Sequence, residues 1–286
     1  MAMALFEIVP NLSEGRSPET IAAAVAAVRA TGAAVLHQTS DATHNRSVLT
    51  IAGDARQVVD AAVVLAGVTT ERIDLRTHRG VHPRIGALDV LPFVPLRDAT
   101  MDDAVALARE AARRIWERRR VPSFFYGAAA TRPERVLLAD VRRGEFEGLE
   151  ARFADAAWHP DVGDVARHAS AGAIAVGARG ILVAFNVELQ TGDLRVARAI
   201  ARTLREKHGG LRTLRALGLR LSDGLVQISL NVTDVEATPL YRIVELIGIL
   251  ARGYGVAVGK SELIGCLPRA AVEASARYYL GLSARS

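Results

Sequence analysis

The feature that most limits what this chain can fold into is an order of short strands and amphipathic helices that runs through it twice. LFEIVP, residues 5–10, reads as a strand. SPETIAAAVAAVRATG follows as a helix, with Ser17 as N-cap, Pro18 at the first helical position and Gly32 as the stop. AVLHQT and RSVLTIAG are strands on either side of the polar loop SDATHN. DARQVVDAAVVLAG is a helix with Gly67 near its end. ALDVLPFVPL is a strand that Pro92 and Pro95 place at a sheet edge or terminate. A helix capped by Thr100 and the strand VPSFFYGAA come next. The second half repeats the order. GILVAFNVEL is a strand and TGDLRVARAIARTLREKHGG a helix with Leu194, Ala197, Ala201 and Leu204 on one face. LRTLRALGLRL and LVQISLNVTD flank the turn SDG. TPLYRIVELIGILARGYG is a helix with Thr238 as cap and Pro239 at its first position, and VAVGKSELIGCLP and RAAVEASARYYL close the chain. Two copies of β-α-β-β-α-β predict an α+β protein of two tandem ferredoxin-like subdomains. The expected spans are 1–165 and 172–286, with the join near 160–172 and a ligand cleft between the subdomains.

Composition bounds the function classes. Half of the 286 residues are hydrophobic, enough for a sizeable core. No apolar run reaches the roughly 18–20 residues of a membrane span, and MAMALFEIVPNLSEG lacks the basic start of a signal peptide. The single cysteine, Cys266, excludes an intramolecular disulfide and argues against a thiolate metal site. A cytoplasmic protein with no membrane partner is expected. The net charge of +5 suits an anionic partner, whether nucleic acid, phosphate or polycarboxylate. Aromatic residues make up 5%, few for base stacking, and no RNP pattern is present, so nucleic acid is not the expected partner.

Polar chemistry concentrates in three stretches. RTHRGVHPR, residues 76–84, holds two histidines and three arginines just before an apolar strand. His78 and His82 stand four apart, the spacing of a helical metal pair, but Gly80 and Pro83 argue against a helix, and no metal is expected. Pro83 pushes His82 into an extended conformation. Arg76, Arg79 and Arg84 lower its pKa and leave it able to take a proton, while the arginines hold a carboxylate or phosphate. SDATHNR gathers Asp41, His44, Asn45 and Arg46, either as an Asx-type turn with solvated polar groups or as part of a site. VPNLSEGRSPE brings Asn11, Ser13 and Glu14 to the entrance of a capped helix, where backbone N–H groups bind anions. The glycines of GAIAVGARGILVAFN do not fit GxGxxG, and there is no GxxxxGK[ST], GxSxG or HExxH.

IVPNLSEGR, THNRSVLTIAGD, IDLRTHRGVHPRIGALDVLPFVPL, ADVRRGEFEGL, GAIAVGARGILVAFNVEL and TPLYRIVELI occur in this order. With them the chain resembles the formiminotransferase domain family from about Leu5 to Leu280, without the family's cyclodeaminase domain. The resemblance implies a homodimeric transferase in one-carbon metabolism and histidine catabolism. It would move a formimidoyl or formyl group between a 5-substituted tetrahydrofolate, the co-substrate, and L-glutamate. His82 falls on the family's catalytic histidine, expected to titrate near neutrality and act as general acid and base. Asn11, His44, Asn45, Arg46 and Arg84 are then the expected substrate-binding residues. The folate segment falls on about Gly163–Gly172, with Asp164 and His168 inside it, and Arg179 and Asn186 of the following stretch complete the expected folate set. The family usually carries aspartates before HNR. His37 and Thr39 stand there instead, and only Asp41 remains to assist at the acceptor amine. The folate segment GDVARHASAG lacks the usual proline, and Tyr241 stands where a histidine is common. The alternative is therefore a diverged member that binds folate or a similar anion without this catalysis, or uses another acceptor.

Overall fold

The alternating apolar stretches of the first half condense into one sheet covered by helices. The computed structural model describes residues 3–80, 82–221 and 223–282, so Val81 of the histidine stretch and Ser222 of the SDG turn lie outside the described residues. Two compact units result, Met1–Gly180 and Ile181–Ser286. In chain order the first contains β1 (Leu5–Ile8), β2 (Asn11–Leu12), α1 (Pro18–Ala30), β3 (Ala34–Asp41), β4 (Arg46–Gly53) and α2 (Ala55–Arg72). It continues with β5 (Leu88–Arg97), α3 (Met101–Arg119), β6 (Ser123–Gly127), α4 (Leu138–Val141), α5 (Glu145–Arg152) and β7 (Ile174–Ala178).

β1 and β2 are one strand interrupted at Val9–Pro10, antiparallel to β4 on one side and β5 on the other. β3 pairs with the outer side of β4. β7 and β6 extend the sheet beyond β5 in parallel register. The helices form where their caps allow. Ser17 Oγ accepts from Thr20 N at 3.2 Å, and Asp54 with Gln57 and Thr100 with Asp103 close capping boxes, each cap contributing about 1 kcal/mol. α2 packs between α1 and α3 and buries Val58, Ala62, Leu65 and Ala66. Gly67 does not end α2. It lies buried inside the helix, where a Cβ would come within 2.6 Å of Arg119 Nη2, so the glycine makes room for that arginine.

β5 is not an edge strand. It runs through the middle of the sheet because Pro92 falls opposite the Val9–Pro10 interruption, its carbonyl accepting from Val9 N at 3.4 Å. The join between units also differs from the expected 160–172. Residues 174–178 form β7, which pairs with β5 and β6, so the chain leaves the first unit only after Arg179.

The second unit contains β8 (Val183–Leu189), α6 (Leu194–Leu204), β9 (Leu214–Arg220), β10 (Val226–Val232), α7 (Leu240–Gly253), β11 (Val258–Ile264) and α8 (Arg269–Tyr279). Its sheet is antiparallel in the order β11-β8-β10-β9. Val187, Leu189, Ile228 and Leu230 meet Ala197, Ile200 and Leu204 of α6 and Ile243 and Ile247 of α7 in a separate core. Thr238 does not cap α7. Its Oγ1 donates to Arg212 O at 2.6 Å, and Pro239 occupies the N-cap position. No helix among the described residues is long and apolar enough to cross a membrane.

The largest fully buried side chain among the described residues is a charged one, Arg135, 0% exposed beside Asp161 at 7%. Arg135 Nη1 donates to Asp161 Oδ2 at 2.6 Å, and the same oxygen accepts from Phe125 N at 2.7 Å. Asp161→Ala would leave a buried guanidinium without its carboxylate, a loss on the order of 3–5 kcal/mol. Urea unfolding followed by tryptophan fluorescence reads it, since Trp116 and Trp158 both lie in this unit. A midpoint unchanged from the parent chain would contradict it.

Candidate active site

The histidine stretch is a loop between α2 and β5, pinned at both ends. Thr77 N and His78 N donate to Asp74 O, and Leu75 N donates to Ser170 O at 2.8 Å. Ile85 N donates to Asp89 Oδ1 at 2.7 Å, and Phe146 N donates to Arg84 O at 2.9 Å. The two histidines divide the work. His78 is buried and donates from Nε2 to Asn45 O at 3.1 Å, while its Nδ1 accepts from Arg84 Nε at 3.3 Å. Burial pushes its pKa down, with Arg84 acting in the same direction. It is a strut, with both ring nitrogens committed to holding the loop.

His82 is held differently. Its Nε2 accepts from Arg46 Nη1 at 2.5 Å, so the ring is neutral with its proton on Nδ1, which faces the Pro83 backbone. Burial, then the charges of Arg46 and Arg142, then His44, push its pKa down to about 3. The expectation of titration near neutrality is therefore corrected. In the free protein His82 is a neutral acceptor held away from the protonated state by two guanidinium groups. Arg46 enters on β4, where its backbone pairs directly with Asp41 of β3. Arg142 follows α4 and is held by the buried carboxylate of Asp89, to which its Nε donates at 2.9 Å.

Asp41 does not reach His82 directly. Its side chain is 53% exposed, its Oδ1 accepts from Thr43 N and His44 N at 2.8 Å each, and its Oδ2 pairs with His44 Nδ1 at 2.9 Å. Its partial burial acts to raise its pKa, but the bonds from His44 and Thr43 outweigh that and leave it lowered. Asp41 thus closes the turn and orients His44, whose ring stands edge-on to His82 with centroids 6.5 Å apart.

Two expected substrate-binding residues are engaged elsewhere. Arg84 Nη1 donates to Glu145 Oε2 at 2.7 Å, and its Nη2 to Glu147 Oε1 at 2.7 Å. With Nε on His78, the fork has no face left for a substrate carboxylate. Asn45 adopts a left-handed φ of 49°. Its Oδ1 accepts from Gly15 N at 2.9 Å and its Nδ2 donates to Arg79 O at 3.0 Å, which ties three loops together. Gly15 and Gly80 are required there, because a Cβ on either would strike the backbone of the 41–46 turn. Asn11 donates from Nδ2 to Val9 O at 3.1 Å across the strand interruption.

The expected folate segment divides. Gly163, at a φ of 108°, packs against Trp116 and Pro122, and Asp164 beside it is exposed. His168 Nδ1 accepts from Ala171 N at 3.0 Å, and residues 168 and 172 bridge, so this end is a closed turn against Ile85 and Gly86. Burial lowers the His168 pKa. Arg179 is near the site cluster. It bonds the buried Tyr126 hydroxyl, whose pKa burial raises and whose other charged neighbours include Arg142 and Asp89. Asn186 lies on β8 in the second unit and donates to Glu262 at 3.2 Å. The sequence reading missed Arg142, Asp89 and Tyr126. Arg142 stands inside the motif ADVRRGEFEGL, the one available signal for it.

The chain matches the formiminotransferase domain, N-terminal subdomain, over residues 5–179, and the formiminotransferase domain over residues 184–286. It is 43% identical over 278 residues to the glutamate formimidoyltransferase of Streptococcus pyogenes serotype M1, covering 96% of this chain and 93% of that protein. It is 41% identical over 287 residues to the glutamate formimidoyltransferase of Thermoplasma acidophilum, covering 98% and 94%. It is 37% identical over 283 residues to the formimidoyltransferase-cyclodeaminase of Rattus norvegicus, covering 96% of this chain and 52% of that longer protein.

The state of His82 is measurable through stability. An unfolded histidine titrates near 6.5 and folded His82 near 3. Between those values the unfolded chain binds a proton that the folded chain excludes. The contribution of His82 is therefore fully present above pH 6.5 and is lost as the pH falls towards 3. Between pH 7 and pH 5 this group accounts for a loss of up to about 2 kcal/mol. Urea unfolding at the two pH values should show a smaller drop for His82→Gln, which keeps an acceptor for Arg46 but does not titrate. Equal drops would contradict the low pKa.

Proposed function

The chain belongs to the formiminotransferase family and is a transferase, and from this we propose that it moves a formimidoyl group between a 5-substituted tetrahydrofolate and L-glutamate, with His82 as the proton carrier. The single observation that carries the reading is the neutral Nε2 of His82 set against the guanidinium of Arg46, with Arg142 beside them. Both substrates are polycarboxylates, and a neutral base among cations suits an amine that arrives with carboxylates attached. The antiparallel order of the second sheet, and the same order of β5, β1, β4 and β3 in the first, support reading each unit as ferredoxin-like.

The reaction requires two proton movements. The free amine attacks the formimidoyl carbon, the new C–N bond forms, and the C=N pair moves onto the imine nitrogen. Collapse restores the C=N bond and breaks the bond to N5, whose departing pair takes up a proton. One proton leaves the amine and one reaches N5. His82 accepts the first at Nε2 and returns it for the second, a contribution of about 10²–10⁴ in rate. Arg46 attracts a glutamate carboxylate. Arg179 and the segment around His168 would face the folate, and Asp41 acts through His44 rather than on the amine itself.

A second reading, transfer to another amine-bearing carboxylate, is favoured by the acceptor side. His37 and Thr39 share a face of β3 with Asp41, and Asp41 is occupied by its own turn. Turnover with 5-formimidoyltetrahydrofolate and glutamate tests the first reading, and other amino acids offered in parallel test the second. His82→Ala is expected to lose about 10²–10⁴ in turnover, with binding of 5-formyltetrahydrofolate retained by calorimetry. Asp41→Asn is expected to lose less than His82→Ala. Full turnover in His82→Ala would refute the assignment.

A further inference from the structure

The contact that identifies His82 also blocks it. Its only lone pair, on Nε2, points into an N–H of Arg46 at 2.5 Å, and Nδ1 carries the proton towards the Pro83 backbone. A ring in this state has no free site for a proton from an amine. Something must move Arg46 before His82 can work.

Arg46 is built to be moved. Of the other arginines removed from solvent in this unit, Arg84 has Glu145 and Glu147, Arg135 has Asp161, Arg142 has Asp89, and the half-buried Arg152 and Arg179 donate to backbone carbonyls that cannot leave. Arg46 has no carboxylate within 4.0 Å among the described residues; the end of its fork rests on an imidazole. Asp89 and Asp41 attract it from farther off, but Asp89 is taken by Arg142 and Ile85 N, and Asp41 by Thr43 N and His44. A guanidinium bonds a carboxylate through two parallel charge-assisted N–H groups, a stronger pairing than one bond to a neutral ring nitrogen.

Resting on the reading of His82 as the base, we propose that Arg46 is a carboxylate-released lock: a carboxylate of the acceptor draws the guanidinium off His82 Nε2 and frees the base only when an anionic acceptor is seated. Arg46 then sets specificity as well as affinity, because an amine without a carboxylate leaves the base masked. The other groups facing His82 do not substitute for the ligand. Arg142 is already paired with Asp89, and His44 is held by Asp41. Pairing Arg46 with the ligand also removes a repelling charge, so the ring becomes easier to protonate and better able to return its proton to the leaving nitrogen.

The test is ¹⁵N NMR of the histidine rings in the full chain, with glutarate as a dicarboxylate probe that has no amine. In the free chain the Nε2 signal of His82 should report a neutral ring down to about pH 4, given a pKa near 3. Saturating glutarate should raise the midpoint by about one pH unit or more. Arg46→Gln should show the raised midpoint without ligand and no response to glutarate, and Arg46→Met serves if the glutamine variant does not fold. A midpoint indifferent to glutarate in the parent chain, or one still low in the variant, overturns the lock. Turnover with glutamate is measured on the same samples. Transfer with an unresponsive His82 overturns the lock alone, whereas a responsive His82 without transfer overturns the proposed reaction alone.

Discussion

The Asp89 carboxylate is the joint on which the site depends. It is buried on the central strand β5, and it accepts from Ile85 N through one oxygen and from the Arg142 guanidinium through the other. One bond turns the HPR segment into the strand. The other brings the residue after α4 to the same place. A buried carboxylate is costly to desolvate, and here N–H donors and a full counter-charge offset that cost. The same joint fixes the position of Arg142 and therefore much of the field felt by His82.

The arginines show how similar residues take opposite roles. Arg84 and Arg46 both stand beside a histidine, and both were candidates for a substrate carboxylate. Arg84 is held by two glutamates that arrive from α5, some sixty residues later in the chain, and so it fastens α5 to the loop. Arg46 has no carboxylate within 4.0 Å among the described residues, and Asp89 and Asp41 act on it only from farther off. Which acceptors an arginine meets comes from chain folding rather than from local sequence.

The histidines divide in the same manner. His78 has a carbonyl on one nitrogen and Arg84 on the other, so both ring positions are committed to holding the loop. His82 has only a cation on its lone pair, a contact that an anion can displace. The Asp41–His44 pair beside it gives the edge-on ring a fixed orientation and commits the aspartate to its own turn.

Much of this was legible in the chain. The helix starts at Ser17 and Thr100, the hairpin around residues 42–45 and the turn chemistry of Asp41 are local, decided by side chains bonding their own backbone. His82 stood out because Pro83 excludes a helix, but burial and the charges of Arg46 and Arg142, rather than the expected Arg76, Arg79 and Arg84, push its pKa down. Three matters were not local. β5 became a central strand because an interruption in β1–β2 received Pro92, which depends on register between strands some eighty residues apart. The join moved to Gly180 because residues 174–178 found a parallel slot beside β5. Arg142, Asp89 and Tyr126 entered the site from separate elements. The sequence by itself determined which residues are titratable and most of the strands and helices, β7 excepted, since those follow from side-chain chemistry and near-neighbour bonding. Only the tertiary structure decided which charge meets which, and hence which histidine is left with a displaceable partner, because pairing at hydrogen-bond distance is a property of register and packing.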